Sequence, residues 1–492
     1  MRPGRYLATG AAACALLVAA ACASGPTRSS TPAPADWTPE AGQNQVADAT
    51  SLTLPPVELV APQAPAAGSE SPAESIQDDS PTGQGSGSRG LIAAAGPIGL
   101  RLLHPSGELV GELGPNYVVT QPTWSRDGQR LAATLVDPST GVSRVAVADI
   151  ATANVVTATA PNPYFFYSWS YDGSRLVALG PGQTGGTAAV ILDETGARAS
   201  DVTLLGQSVY VAWEPGGRRL LVHAGHQLLL VNNVDSPQDH HDYGLVGVDF
   251  LAPAWVPGTR DFLYVDSYGQ APADAGEQEL LDRRSTTDPQ LLRRSTDTGE
   301  ITDLGPAGPY TTMAVHPSGD RAAISAADGR PGSAGDGTGQ DPSSQPGQTA
   351  GAGPDTVVPA GSVQIVDLST GERHTVLDQI GLWLEWSPDG RNLLMATAAD
   401  DQAGFGMSWH IWDGQQSYEL VQFTPSVAFA RNYLPFADQY DETPRLWSPD
   451  SDAITFGANT ADGDVTVVAR IDGAGAVASL GPSDVSFWSP LP

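Results

Sequence analysis

The chain is 492 residues long and carries a formal net charge of −31, with 55 acidic residues against 24 basic ones that are all Arg. That balance argues against nucleic acid or an anionic membrane surface as a partner, because both are gripped by cationic patches. Its two cysteines, Cys14 and Cys22, both fall in the first 22 residues, which leaves the rest of the chain without disulfides, thiolate metal sites or cysteine nucleophiles.

Arg2 and Arg5, followed by the apolar run from Tyr6 to Ala21, have the form of an export signal, too short for a stable membrane span. The run Val18 to Cys22 resembles the bacterial lipobox, with Ala19 where Leu is usual. The resemblance implies that Cys22 is the site of lipid attachment and that residues 1–22 are a signal peptide. The other reading is plain cleavage after Ala23 and secretion. Residues 23–89 are rich in Pro, Ala, Ser, Gly, Thr and Gln and read as a disordered tether. Its root-mean-square reach is roughly 45 Å for a flexible coil. A small interaction motif around Leu52 to Leu59 is the alternative for one part of it.

From there a repeat takes over. PTWSRDGQRLAATL begins at Pro122, YSWSYDGSRLVALG at Tyr167, VAWEPGGRRLLVHA at Val211 and PAWVPGTRDFLYVD at Pro253. MAVHPSGDRAAISA follows from Met313, LEWSPDGRNLLMATA from Leu384, RLWSPDSDAITFGA from Arg445 and VSFWSPLP from Val485. Seven of the 11 Trp, Trp124, Trp169, Trp213, Trp255, Trp386, Trp447 and Trp488, occupy one repeat position, with Val315 in their place once. The spacings 124 to 169, 169 to 213 and 213 to 255 are 45, 44 and 42 residues, room for four short strands per copy. In the copy at Trp124 the strands are predicted through Trp124, at Arg130 to Leu135, at Val145 to Ile150 and at Asn154 to Ala158. Apolar runs of about five residues punctuated by Gly and Pro rule out a helical reading.

W-S-P-D-G-x-x-L followed by turns such as Val366 to Glu372 and Ser295 to Glu300 resembles the TolB-like, WD-repeat-like propellers of bacterial extracytoplasmic proteins, over Gly90 to Pro492. The resemblance implies an all-β fold, a single β-propeller of four-stranded blades. It does not carry a function, since such propellers serve as scaffolds and accompany enzymes. The small α/β domain that precedes the propeller in TolB is replaced here by the tether. Gly90 to Gly114 supplies strands b, c and d without an a, and Val485 to Ser489 supplies an a with nothing after it. Pairing them closes the ring and removes two exposed edges. The count is then eight blades, or seven if the Val315 copy is not a true blade.

Strand alternation puts the a–b and c–d turns on one face and the b–c and d–a connections on the other. The second face receives the insertions: Ser267 to Pro289 with a helical piece at Glu277 to Arg284, the Gly/Ser/Pro-rich stretch 326–361 read as a disordered loop, and Ala428 to Pro444. The last is the candidate binding loop, with Arg431, Tyr433, Phe436, Asp438 and Tyr440. Its aromatics either anchor a partner or pack down onto the ring. His223, His226, His240 and His241 cluster in sequence, but a strand length of roughly 17–20 Å separates the two pairs, and only His316 lies on an innermost strand. No metal site and no cofactor is expected, and no catalytic residues are assigned. Arg130, Arg175, Arg219, Arg321 and Arg391 recur after the a–b turns, which favours a structural role such as pairing with a neighbouring blade's turn Asp. The sequence therefore predicts a monomeric, membrane-tethered extracytoplasmic propeller, a non-enzymatic module for a protein, peptide or glycan partner of the cell envelope. The alternative is a lyase-type propeller enzyme acting on glycans in the central channel.

Overall fold

The computed structural model describes residues 59–60 and 89–490, apart from residues 328–360 and loop-tip stretches of at most four residues. The predicted signal peptide, Cys22, most of the tether and the interior of the 326–361 insertion lie outside the described residues. Among the described residues there are eight antiparallel sheets arranged as a propeller, so the count is eight and the Val315 copy is a true blade. Blades 1 to 6 run in chain order over Val118–Ala160, Phe166–Gly206, Val209–Leu245, Ala254–Pro306, Thr312–Leu377 and Trp383–Phe423. In blade 7 the strands Ala453–Thr460, Gly463–Arg470 and Val477–Pro482 are joined by a short innermost segment through the Trp447–Ile454 bridge.

Blade 8 is built from both ends of the folded region. Val485–Trp488 is its innermost strand, pairing with Ile92–Gly96, which continues outward to Gly99–Leu103 and Leu109–Leu113. Around this seam Leu91 and Ser489 exchange bonds, Ser489 N to Leu91 O at 2.7 Å and Leu91 N to Ser489 Oγ at 2.9 Å. Arg89 pairs with Asp450 of blade 7 at 2.6 Å. A fifth strand, Leu59–Val60, adds to the outer edge.

The repeated motif folds locally for a chemical reason. In the a–b turn of blade 1 the Ser125 hydroxyl donates to Asp127 Oδ1 at 2.5 Å and accepts from Arg130 N at 2.9 Å, while Asp127 Oδ1 also accepts from Gln129 N at 3.1 Å. The same set recurs in blade 6 with Ser387, Asp389, Arg391 and Asn392. Ser and Asp thus satisfy the backbone groups that the turn leaves open.

The repeated Trp joins the blades. Each is buried, from Trp169, Trp213, Trp447 and Trp488 at 0% exposed to Trp386 at 6%. The indole N–H of Trp169 donates to Thr123 O, Trp213 to Ser168 O, Trp255 to Ala212 O, Trp386 to Ala314 O and Trp447 to Glu385 O, at 3.0–3.1 Å. Trp124 reaches Phe487 O across the seam at 3.3 Å. In every case the acceptor is the residue just before the repeat position in the preceding blade. Trp488 departs from the rule and donates to Arg89 O at 2.9 Å.

Candidate functional site

The a–b and c–d face is a stitched surface. Arg130 reaches Gly173 O and Glu194 of blade 2, at 2.9 and 3.0 Å, and Arg175 reaches Asp235 of blade 3 at 2.8 Å. Arg219 binds its own blade's Glu214 and, at 3.1 Å, Thr296 of blade 4. The expected pairing with a neighbouring blade's turn Asp therefore holds for Arg175; Arg130 also pairs across the blades, but with a Glu, and in both the acid lies on the c–d turn. Arg321 instead stays with Asp320 of its own blade at 3.5 Å, and Arg391, 84% exposed, lies 3.7 Å from its own Asp389. On the c–d turn of blade 5 the Ser369 hydroxyl, with the Ser369 and Thr370 backbone N–H groups, lowers the Asp367 carboxyl to about 2.

The opposite face centres on the segment between blades 6 and 7. In a propeller one edge of each innermost strand faces the axis with unpaired N–H and C=O groups, and these need partners. Helix α1, Val427–Asn432, and the 3-10 helix Leu434–Tyr440 turn inward to meet them. Ser426 caps α1, accepting from Phe429 N at 3.1 Å and donating to Asp484 O. Phe429 packs on Trp383 and Trp409 of blade 6, with ring centres 5.5 and 6.2 Å away, and Tyr433 packs on Phe487 of blade 8 at 5.1 Å. The 3-10 helix then reaches the innermost strands of blades 3, 5 and 6. Gln439 Oε1 accepts from Val211 N at 2.9 Å while its Nε2 donates to Val211 O at 2.6 Å, so that one side-chain amide takes the place of a missing strand. Asp438 Oδ1 accepts from Met313 N at 3.3 Å. The segment is a plug in the axial channel.

The plug separates the five predicted loop residues. Tyr433 and Asp438 are buried in the ring, Phe436 is half-buried against its core, and Arg431 is exposed beside Asn432 on the outer surface. The Tyr440 side chain lies outside the described residues. Gln439, which clasps Val211, escaped the sequence reading, because nothing in a polar loop residue signals that it faces a strand edge. A narrow crevice remains beside the plug, lined by Ser168, Val211, Ala212, Ala254, Asp438 and Gln439. Its walls are small and apolar apart from Ser168 and the two plug side chains.

Glu385, on the innermost strand of blade 6, was likewise not singled out. It is 5% exposed; Oε2 accepts from Trp383 Nε1 at 3.1 Å and Oε1 from Leu446 N at 3.0 Å, where the chain leaves the plug for blade 7. Burial pushes its carboxyl up to about 7, against the opposing pull of the Trp383 bond and the Arg445 charge.

The histidines have separate duties. His223 stacks on Phe250 at 4.3 Å, His226 Nδ1 shares a hydrogen bond with the Tyr268 hydroxyl at 2.8 Å, and His241 packs edge-on to Tyr243, while His240 is exposed. His316 takes the place of the turn Ser and bonds Gly390 O of blade 6 at 2.8 Å through Nε2, with its ring on Trp386. Gly390 has φ +71°, and a Cβ there would come within 2.5 Å of that Nε2, so the close approach requires glycine. Among the described residues no group of three or more His, Cys, Asp or Glu is placed to hold a metal ion.

No family model and no curated protein matches the sequence. Solved structures do match. The chain is similar to the dihydro-heme d1 dehydrogenase NirN in complex with DHE, with a TM-score of 0.51 and 13% identity over 84% of this chain and 78% of that one. It is also similar to oligogalacturonate lyase in complex with manganese, with a TM-score of 0.42 and 13% identity over 73% and 84%. TolB from Acinetobacter baumannii gives 0.34 and 16% identity over 66% and 76%. The neighbours thus include TolB, other propellers and enzymes, and at such identities what is shared is the fold.

Proposed function

We propose that the protein is an extracytoplasmic propeller, tethered to the membrane through a lipid on Cys22, that acts as a non-enzymatic binding or scaffold module for a protein, peptide or glycan partner of the cell envelope. The supporting observation is the plug. Gln439 and Asp438 are spent on the backbone of Val211 and Met313, at the place where a propeller enzyme would present converging polar groups from several innermost strands. What stays exposed on this segment is the end of helix α1, Arg431 and Asn432. Loops on a rigid ring are where recognition concentrates, and an exposed Arg is a suitable anchor for a carbonyl- or carboxylate-bearing partner.

The test is capture from envelope extracts with three chains: wild type, Arg431→Glu, and Arg391→Glu on the opposite face. Capture of one partner by wild type and Arg391→Glu, reduced roughly tenfold by Arg431→Glu, is the expected result for a charge reversal at an interface anchor. Equal capture by all three chains, or turnover of an envelope oligosaccharide by the purified protein without a captured partner, overturns the reading.

A further inference from the structure

Four of the six exposed large apolar side chains among the described residues lie on three adjacent blades, 7, 8 and 1. Val477 is on the outer strand of blade 7, Ile98 and Val110 are on blade 8, and Val156 is on the outer strand of blade 1. Val427, the first residue of helix α1, and Phe165, in the connection between blades 1 and 2, flank this sector. The sector centres on blade 8, whose strands come from opposite ends of the folded region. The outer strand of that blade, Leu109–Leu113, does not end the sheet: Leu59 pairs with Leu113 and Val60 with Glu112, antiparallel.

We propose that the outer edge of blade 8 is a docking edge for the chain's own apolar segment Leu52–Val60, which acts as a strap over the ring's seam. An outer strand presents a row of unpaired backbone groups, and the strap gives some of them partners. The sequence LTLPPVELVAP suits such a strap, since Val57 and Val60 are β-branched strand formers, while Pro55, Pro56 and Pro62 lack an N–H and confine the strand between them. The connection back to Arg89, residues 61–88, has 28 residues, and it has to cross only the three inter-strand spacings from the strap to Ile92–Gly96, roughly 14 Å. The occupant is therefore this chain by continuity with a pairing already made. For the anchored reading, on which this one consequence rests, only the residues between Cys22 and the strap separate ring from lipid. Their root-mean-square reach is roughly 30 Å rather than roughly 45 Å.

Hydrogen exchange on the full chain tests the strap without involving the lipid, so its failure leaves the anchored reading standing. Leu59→Pro removes a donor and disfavours the strand. The amides of Gly111 to Leu113 are expected to exchange about tenfold faster than in wild type, with the inner strands of blade 8 unchanged. Free exchange of those amides in wild type, or no change on substitution, overturns the proposal. So does protection that grows with protein concentration alongside a dimer in light scattering, since the occupant is then a second copy. A covalent trap guards against misfolding of the proline variant. In a Cys14→Ser, Cys22→Ser background, Leu59→Cys with Leu113→Cys places thiols on cross-strand partners, whose Cα separation of about 4.5–5.5 Å suits a disulfide. Oxidation within the monomer is expected there and not for Leu59→Cys with Val477→Cys. Equal yields from both pairs overturn the proposal.

Discussion

The residue that organises the chain is the repeated Trp, and its contribution divides into a buried ring and one directed hydrogen bond. Trp169→Phe keeps most of the ring but removes the donor to Thr123 O, orphaning a buried acceptor. A stability loss of about 1–3 kcal/mol is expected, read as a lower urea midpoint at unchanged slope. The Trp period was legible in the sequence; the partner carbonyl was not, because a period reports which face a side chain takes and not what lies across the blade gap. Glu385 is a second residue whose role is set by its surroundings. Its carboxyl is raised from 4.5 to about 7 in the folded protein, so the folded state binds the proton more tightly than the unfolded one. This contribution to stability is complete below pH 4.5 and is lost as pH rises through about 7. Glu385→Gln, which does not titrate, is expected to lose less stability than wild type between pH 5 and pH 8. The difference is on the order of 2–3 kcal/mol at most, measured by chemical unfolding at each pH. A variant with the same pH slope as wild type counts against the buried proton.

At the scale of elements, the plug is where sequence and structure part company. The aromatics of Ala428 to Pro444 left two readings open, and the structure places Phe429 and Tyr433 against Trp383 and Phe487, as packing. The plug's hold on the ring comes as much from Gln439, whose amide answers both backbone groups of Val211. Gln439→Ala is expected to cost about 1–3 kcal/mol through those two unpaired groups, seen as a lower thermal midpoint. Faster amide exchange at Val211 should accompany it, with blades 1 and 2 unaffected. A loss of stability spread evenly over the ring's amides, with Val211 no more affected than its neighbours, runs against the clasp. The blade strands themselves were legible because turn chemistry and apolar runs are local: Arg130 to Leu135 was expected and Arg130–Val136 is found. The plug was not, since the demand it meets, unpaired edges facing an axis, exists only after eight blades have closed. The helix in the blade 4 insertion lies between these cases, expected at Glu277 to Arg284 and found at Glu277–Thr286, because helix propensity is again local.

For the whole molecule, closure is the property on which the other contacts depend. It was legible from the two ends, one lacking an innermost strand and the other consisting of one, and the pairing of Val485–Trp488 with Ile92–Gly96 realises it. That strand is short, yet it carries three separate connections: the ladder to Ile92–Gly96, Phe487 O as acceptor for Trp124, and Phe487 as the platform for Tyr433 of the plug. Removing residues 485–492 should therefore do more than shorten one sheet. It exposes the edge of Ile92–Gly96, whose residues are fully buried, leaves the Trp124 indole without its acceptor, and takes the floor from under the plug. Exposed apolar edge strands pair with one another, so the truncated chain is expected to elute as aggregates and to melt at a much lower temperature. Removing only residues 490–492, beyond the strand, should leave both measurements at wild-type values. A monodisperse, fully folded chain ending at residue 484 contradicts the view that one four-residue strand closes the ring.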